Sequence, residues 1–293
     1  MTTIADIRPG TPFEGIYAVR DVERRLARNG KPFLSLTLGD ATGNARALVF
    51  DQADWFAERL SEGAVVRVTG RAEERGGRRE LVVSHVREAE QESGVEDLVP
   101  RSHRDPEELF GFVLHLADEV GDPGYRAVLG ALTGDDRLAE AWRRVPCTRS
   151  GHHAYVGGLV EHTVGVAALC QTLCTWHPRL DADLLVTAAL VHDLGYTRAW
   201  RVGSTFEVTD EGRLLGHLAL GADIVGDACR RTGLADAQRL SLLHCIAWHH
   251  GPPGGAALAQ ASPEALALYR GNAMEVQVKA RLEGAGIDAA PTA

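Results

Sequence analysis

The chain has 293 residues, enough for about two domains at roughly 150 residues each. Apolar residues make up 45% of it and charged residues 24%, which is ordinary for a globular protein and excludes a disordered or collagen-like chain. It carries 31 basic against 40 acidic side chains, a formal charge of −9. That balance excludes a polycation that coats nucleic acid indiscriminately.

The N-terminal sequence MTTIADIRPG has no basic start followed by an apolar core, so we expect no signal peptide. No apolar run approaches the ~18 residues that a membrane-spanning helix needs. The five cysteines are an odd number and none forms a CxxC pair, which favours free thiols in a reducing cytoplasm.

Residues 1–88 predict a small β domain. Alternation in Phe33–Leu38 puts three leucines on one face of a strand, and a turn at Asp40–Gly43 leads into a second strand, Ala45–Phe50. The remaining predicted elements are strands at Phe13–Leu26, Ala64–Ala72 and Glu80–Val86 and a short helix at Ala53–Leu60. Three strands, a helix and two strands is the order of an OB-fold, and a generic small β-barrel is the alternative.

The β domain has 14 basic and 13 acidic side chains, so it is slightly positive while the rest of the chain is strongly negative. Five of its cations crowd the end of the first strand and the following loop: Arg20, Arg24, Arg25, Arg28 and Lys31. Phe33 lies opposite the leucine face and could stack on a base, and Tyr17 and Phe50 are further stacking candidates. We therefore predict that single-stranded nucleic acid binds here, with a solvated charged loop as the alternative.

Residues 89–106 are acidic and interrupted by Gly and Pro, which predicts a linker. Residues 107–283 have helical periodicity, clearest at Leu159–Trp176, Asp183–Leu194, His217–Thr232 and Asp236–His250. The small-residue segment 284–293 predicts a disordered tail. The predicted fold class is therefore a small all-β OB-like barrel followed by an all-α domain.

Histidine is concentrated in the helical region. Nine of the 12 histidines fall within Gly151–Gly251. His192 and Asp193 stand at a predicted helix end before Gly195, and this matters because neighbouring helical residues point about 100° apart. They can serve one metal centre only where the helix stops, and a glycine supplies such a stop.

A second pair, His249 and His250, ends another predicted helix before Gly251. His162 lies within a helix and His217 at a helix start. Imidazole and carboxylate donors suit Mn, Fe, Zn or Mg, with a water made nucleophilic by the cation. We predict a metal site here, and a purely structural histidine cluster is the alternative.

The order of these motifs resembles the HD-domain metallophosphohydrolase superfamily. More closely, GHHAYVGGLVEHT at 151–163, LVHDLG at 190–195, LGH at 215–217 and HHG at 249–251 resemble the YhaM-type 3′-to-5′ exoribonucleases. Those proteins also carry an N-terminal OB domain, and FEGIY at 13–17 and KPFLSLTLGDATG at 31–43 are similar to that barrel. The resemblance extends from about Phe13 to Lys279 and implies an HD-type helical domain.

Carried over position by position, the resemblance implies His192 and Asp193 as catalytic residues. It implies metal ligands at His162, His192, Asp193, His217, His249, His250 and Asn272. His152 and His153 would either contact a substrate phosphate or simply pack. The implied cofactor is a divalent metal, Mn²⁺, as one or two ions.

The chain departs from the family pattern at two positions. Tyr196 stands where the family usually has a lysine, which replaces a cation by a neutral hydrogen-bonding group. Asn272 stands where the family has its last acidic ligand. An amide oxygen brings no charge, so one metal should bind more weakly. Glu275 lies on the same helical face and is a candidate substitute, as Arg198 or Arg201 is for the cation.

The function that we predict is a metal-dependent phosphodiesterase that degrades single-stranded nucleic acid, as a 3′-to-5′ exoribonuclease. A non-catalytic single-strand-binding protein with a degenerate HD site is one alternative, motivated by Tyr196 and Asn272. An HD-type nucleotide phosphohydrolase is the other, although it leaves the barrel unexplained. The predicted partner is single-stranded RNA or DNA, and we expect no membrane association. We also expect a homo-oligomer, because a short barrel often needs a second copy to enclose a nucleic-acid strand.

Overall fold

A computed structural model describes residues 1–27, 29–75, 78–89, 98–252 and 260–283. The chain divides into two compact units. The first comprises residues 1–100 with 202–206, and the second comprises residues 101–201 with 207–293. Much of the predicted linker, residues 90–97, and the whole predicted tail, residues 284–293, lie outside the described residues.

The first unit contains a closed five-stranded barrel with the strand order β1-β2-β3-β5-β4. Its strands are β1 (Pro12–Leu26), β2 (Pro32–Asp40), β3 (Gly43–Val49), β4 (Val65–Arg75) and β5 (Arg78–Glu88). The β3–β5 pairing is parallel and the other pairings are antiparallel. A short helix, α1 (Ala53–Ala57), lies between β3 and β4. The predicted OB-like barrel is thereby confirmed.

The leucine face of β2 forms part of the barrel core. Leu34, Leu36 and Leu38 are each 0% exposed, as strand alternation predicts. Tyr17 is also fully buried, and its hydroxyl donates a hydrogen bond to the carbonyl oxygen of Thr2 at 2.7 Å. Tyr17 therefore belongs to the core and is not available for stacking on a base.

The second unit is helical, which confirms the predicted all-α domain apart from a small hairpin. Its helices are α2 (Pro106–Glu119), α3 (Pro123–Thr133), α4 (Asp136–Arg144), α5 (Gly158–Trp176), α6 (Ala182–Val191), α7 (Tyr196–Ala199), α8 (Asp210–Thr232), α9 (Asp236–Trp248) and α10 (Pro263–Leu282). The hairpin is β6 (Trp200–Val202) with β7 (Phe206–Val208), whose connecting residues belong to the first unit. Within the described ranges, no helix is both long enough and apolar enough to cross a membrane.

Helix α6 is the central helix of this unit, because every residue from Leu184 to Val191 is buried. A helix that is apolar all round belongs inside a core. Its start is fixed by Asp181, whose side chain accepts a hydrogen bond from the backbone N–H of Leu184. The helix ends at Val191, three residues before the predicted end, and so delivers the next residues to the middle of the unit.

Helix α8 differs from its predicted bounds. It begins at Asp210 rather than at His217, and its course is interrupted at Gly216, where φ is 70° and ψ is 161°. An L-residue with a side chain rarely adopts that conformation. His217 consequently starts a new helical segment, as the sequence predicted, but inside a longer element.

Candidate functional site

The predicted His-Asp pair lies just beyond the end of α6. His192 is the C-terminal cap of that helix and is 0% exposed, and Asp193 follows in a turn and is 4% exposed. A side chain at Gly195 would overlap the backbone of His217, so only glycine allows this close approach of α8. The turn therefore brings residues from two helices to one buried point.

Asp193 stands between two groups of histidines. Its Oδ2 lies 3.4 Å from the Nε2 atoms of both His162 and His192. Its Oδ1 lies 3.1 Å from Nε2 of His249 and 3.6 Å from Nε2 of His217. Donor atoms that share a cation at about 2.1 Å are themselves about 3.0 to 3.5 Å apart. Each carboxylate oxygen is thus placed to complete a separate set of metal ligands.

The structure brings together all the histidines predicted as ligands. One group able to hold a cation is His162, His192 and Asp193, and another is Asp193, His217, His249 and His250. The Nε2 atoms of His217 and His250 lie 2.8 Å apart. This confirms a His/Asp cluster of the kind that binds a divalent metal, with Asp193 common to both groups.

The backbone orients two of these rings. Nδ1 of His192 lies 2.8 Å from the carbonyl oxygen of Ala189, and Nδ1 of His249 lies 2.6 Å from that of Ile246. A carbonyl oxygen only accepts hydrogen bonds, so each Nδ1 carries the proton. Each Nε2 then keeps its lone pair, which is the form in which histidine ligates a metal.

Burial makes most of the cluster neutral. It lowers the pKa of His217 to about 4 and that of His250 to about 3, and it lowers the pKa of His192 as well. At neutral pH these imidazoles are therefore unprotonated, as metal ligation requires.

Asp193 and His162 are the charged members of the cluster. Burial alone would raise the pKa of Asp193, but His192, His162 and His249 hold it well below its usual range. Burial would lower the pKa of His162, yet hydrogen bonds to Asp193 and Glu275 raise it to about 10. Without a cation, the proton on His162 supplies the positive charge that the Asp193 carboxylate needs.

Several buried polar atoms of the cluster have no hydrogen-bond partner of acceptable geometry among the described residues: Oδ1 of Asp193, Nε2 of His249, Nδ1 of His250 and Oδ1 of Asn272. Asn272 is 3% exposed, and its amide Nδ2 donates to the carbonyl oxygen of His249 at 3.1 Å, which leaves the amide oxygen free to ligate. Unsatisfied buried acceptors are costly in a folded protein. The His/Asp donor set therefore fits a divalent cation, and Asn272 offers a further buried oxygen.

Tyr196 is packed against one of the ligands. Its ring stacks on that of His217 with the centroids 4.2 Å apart and an angle of 14° between the planes. Burial raises the pKa of its phenol, so it is a neutral group at the edge of the cluster. The two arginines that could have replaced a lysine charge do not reach this point: Arg198 is paired with Glu211 and Asp223, and the side chain of Arg201 is 72% exposed.

The two predicted phosphate-binding histidines differ. His152 is buried beside the cluster, and burial lowers its pKa to about 4. Both ring nitrogens of His153 are engaged, Nε2 with Glu275 at 2.8 Å and Nδ1 with the hydroxyl of Tyr155 at 3.0 Å. Of the two readings that the sequence left open, His153 therefore fits the packing one, and only His152 stays a candidate for phosphate.

Sequence analysis missed the polar residues behind the cluster. The hydroxyl of Tyr155 donates to Glu161 at 3.0 Å, and Glu161 also accepts from Ser102 and Lys279. Ser102 and Lys279 are far from Glu161 in the chain, so no local sequence spacing predicts these contacts. A tyrosine two residues after His153 is the only local signal.

On the barrel, an aromatic and a cation share one face. Phe33 and Phe50 have ring centroids 5.7 Å apart, and Phe50 is 43% exposed. Arg25 is the direct cross-strand partner of Phe33 in the β1–β2 register, so their side chains lie on the same side of the sheet. A stacking surface beside a guanidinium is what a single strand needs.

The other predicted strand-binding cations have varied surroundings. Arg24 pairs with Asp54 at 2.6 Å and Arg25 with Glu23 at 2.5 Å, both exposed to solvent. Lys31 is exposed in the loop between β1 and β2. Arg20 is half-buried and donates to backbone carbonyls of Leu98 and Ser204. Its guanidinium therefore connects segments of the first unit and is not free to contact nucleic acid. Arg28 lies outside the described residues.

Comparison with known protein families agrees with this site. Residues 159–281, which carry every predicted metal ligand, match the HD domain family. The helical unit therefore contains an HD domain region, residues 159–281. Residues 18–89 match the family of OB-fold nucleic acid binding domains. The HD domain and the OB-fold predicted from the sequence are both confirmed.

Two curated relatives cover most of the chain, and both are named 3′-5′ exoribonuclease YhaM. The protein from Halalkalibacterium halodurans is 27% identical over 82% of this chain and 75% of its own length. The protein from Shouchella clausii is 27% identical over 83% of this chain and 76% of its own length. The resemblance to the YhaM-type family is therefore confirmed.

A solved structure, the second OB-fold domain of replication protein A from Methanococcus maripaludis, is 18% identical to this chain. The match covers 31% of this chain and 97% of that domain, with a TM-score of 0.26. The assignment of the first unit as an OB-fold rests on the strand order and the family match.

Proposed function

We propose that this protein is a metal-dependent phosphodiesterase that degrades single-stranded RNA from its 3′ end. The observation that carries the proposal is the position of Asp193, whose two carboxylate oxygens each face a separate pair of histidine Nε2 atoms. Relatives named exoribonucleases over most of the chain support the same activity.

His162, His192 and Asp193 would hold one divalent cation, and His217, His249 and His250 with Asp193 a second. The unpartnered amide oxygen of Asn272 is a further candidate ligand. A bound divalent cation supplies positive charge that neutralises a phosphodiester and acidifies a water. We propose Mn²⁺, because it accepts both imidazole and carboxylate donors. His152 is the side chain that we propose to contact the substrate phosphate, since it lies beside the cluster with its imidazole neutral.

The chain's own residues then have distinct roles. Asp193 ties the two ligand groups together, so that both keep a fixed separation during the reaction. The Tyr196 ring fixes the plane of His217 by stacking on it. The buried walls exclude water from charges that act more strongly in a low dielectric.

For the barrel we propose that Phe33 and Phe50 stack on bases while Arg24, Arg25 and Lys31 follow the phosphates. The five cysteines are free thiols, which supports a cytoplasmic location. The expected homo-oligomer stays a prediction, and light scattering of the full-length chain would test it.

The test uses 5′-labelled single-stranded RNA and DNA of one sequence, incubated with the full-length protein and Mn²⁺. We expect a ladder that shortens from the 3′ end and is absent with the His192→Ala/Asp193→Ala variant. His115→Ala, which changes an exposed surface histidine, is the matched control and should cleave like the wild type. Thermal denaturation checks that the double variant is folded.

Other outcomes would replace the proposal. Intact oligonucleotides that still shift on a native gel would identify a non-catalytic strand-binding protein. Faster hydrolysis of mononucleotides than of oligonucleotides would identify a nucleotide phosphohydrolase. Unchanged cleavage by the double variant would refute the site itself.

A further inference from the structure

Glu275 on α10 lies behind His162, where it forms with His153 and His162 a third group of possible metal donors besides the two that share Asp193. Glu275 is one turn beyond Asn272, and its Oε2 lies 2.6 Å from Nδ1 of His162. The opposite nitrogen of the same ring, Nε2, faces His192 and Asp193. Glu275 therefore contacts His162 on the side away from the other ligands.

This arrangement determines which nitrogen of His162 would keep its proton when a metal binds. His162 lies in the second turn of α5, and the partner of its Nδ1 is the Glu275 carboxylate, whereas the rings of His192 and His249 are oriented by the carbonyls of Ala189 and Ile246. An ionised carboxylate only accepts hydrogen bonds, so Nδ1 must donate to Glu275. Nε2 is then the nitrogen that faces the metal.

Glu275 is itself held in place on its other oxygen. Oε1 lies 2.8 Å from Nε2 of His153, whose Nδ1 contacts the hydroxyl of Tyr155. That hydroxyl donates to Glu161, and Glu161 is paired with Lys279 at 2.7 Å. The chain also leaves room for the carboxylate. A Cβ atom at Gly165 would stand 3.2 Å from Cγ of Glu275 and 3.3 Å from its Oε1. A glycine one turn after His162 thus gives Glu275 its position.

We infer that Glu275, supported by His153, is a positioning residue that presents Nε2 of His162 to the metal. The inference rests on the proposed metal site, but it concerns metal binding and not cleavage. Its predicted effect is a change in metal affinity.

The experiment is calorimetric titration of the full-length, metal-free protein with Mn²⁺ alone. Glu275→Ala should weaken binding about 10- to 100-fold, the usual cost of losing such an outer partner. Glu275→Gln should recover most of that loss, because the amide can accept from Nδ1 of His162 and donate to Nε2 of His153. The matched control is Glu264→Gln on the same helix, where the buried carboxylate accepts a hydrogen bond from the backbone N–H of Asp181; it should bind like the wild type.

A second variant separates positioning from folding. Gly165→Ala raises the helix propensity of α5 but crowds Glu275, so it should weaken Mn²⁺ binding without lowering the melting temperature. Excess Mn²⁺ should restore cleavage in Glu275→Ala, with the KM for RNA unchanged.

Two results would overturn the inference: wild-type Mn²⁺ affinity in a folded Glu275→Ala variant, or a Glu275→Gln variant as weak as the alanine. Wild-type protein that binds Mn²⁺ without cleaving RNA would refute the proposed activity and leave this inference intact. Wild-type protein that binds no Mn²⁺ would refute both.

Discussion

The two units hold their functional groups in opposite ways. In the HD domain, His162, His192 and His249 are at most 1% exposed, and their rings are oriented by partners behind them. On the barrel, the side chains of Arg24 and Arg25 are 50% and 46% exposed and are paired with surface carboxylates. One set is fixed before any ligand arrives, whereas the other can adapt to it.

The difference predicts that changes in the HD domain affect the stability of the fold, whereas changes on the barrel affect the affinity for nucleic acid. Burying a carboxylate and several imidazoles is unfavourable unless they are compensated, and orphaned acceptors add to that cost. A cation in the HD domain would therefore act on folding as well as on chemistry. Exposed pairs such as Arg25 with Glu23 contribute little to stability, so changes on the barrel should affect binding alone.

The largest expected effect is the response of the HD domain to metal. At about a thousandfold excess over its Kd, a cation that binds only the folded state adds about 4 kcal/mol of stability. For a unit of this size that corresponds to a rise of about 8 to 16 °C in melting temperature. Differential scanning calorimetry with Mn²⁺ and with a chelator measures it.

The internal control for that experiment is the barrel. We expect a second transition from the barrel whose melting temperature Mn²⁺ does not change. A further control is Asp193→Asn, which keeps the shape of the side chain without its charge, and whose melting temperature Mn²⁺ should not raise. An equal shift in the Asp193→Asn variant would mean that the ion stabilises some other part of the chain.

The positions of His192, Asp193 and His217 could be predicted from sequence because each lies beside a helix break that a glycine marks, and their role as metal ligands stays a prediction. A helix end with Gly195 places His192 and Asp193, and Gly216 marks the start of the segment that carries His217. Glu275 was noticed for its helical face, but its contact with Nδ1 of His162 could not be foreseen. That contact depends on how α10 packs on α5, which no local pattern encodes.

The barrel shows the same limit. Strand alternation predicted the buried leucines of β2 correctly, because period-two burial is local. It could not distinguish Tyr17, which lies in the core, from Phe33, nor show that Arg20 is engaged by Leu98. Composition places cations near one another, but only tertiary contacts decide which of them remain available.

A smaller effect is expected from the aromatic face. Phe33→Ala should weaken binding of single-stranded RNA by about 1 to 3 kcal/mol, or roughly 5- to 150-fold, because one stacked base loses its platform. The melting temperature should hardly change. Fluorescence anisotropy with a labelled oligonucleotide measures the affinity, and Trp55→Ala, another exposed aromatic of the barrel unit, is the control. Equal losses in both variants would mean that no specific stacking face exists.

The smallest effect concerns the exposed pair of Arg25 with Glu23. Their hydrogen bond lowers the pKa of Glu23 and occupies part of the guanidinium, so Glu23→Gln should free Arg25 and tighten RNA binding by less than about fivefold. Arg25→Ala should instead weaken binding and reduce the slope of log K against log salt by about 0.7, the value for one phosphate contact on a single strand. Anisotropy titrations at several salt concentrations distinguish the two variants. If the slope stays the same without Arg25, this guanidinium contacts no phosphate, and the adaptable face of the barrel is aromatic rather than ionic.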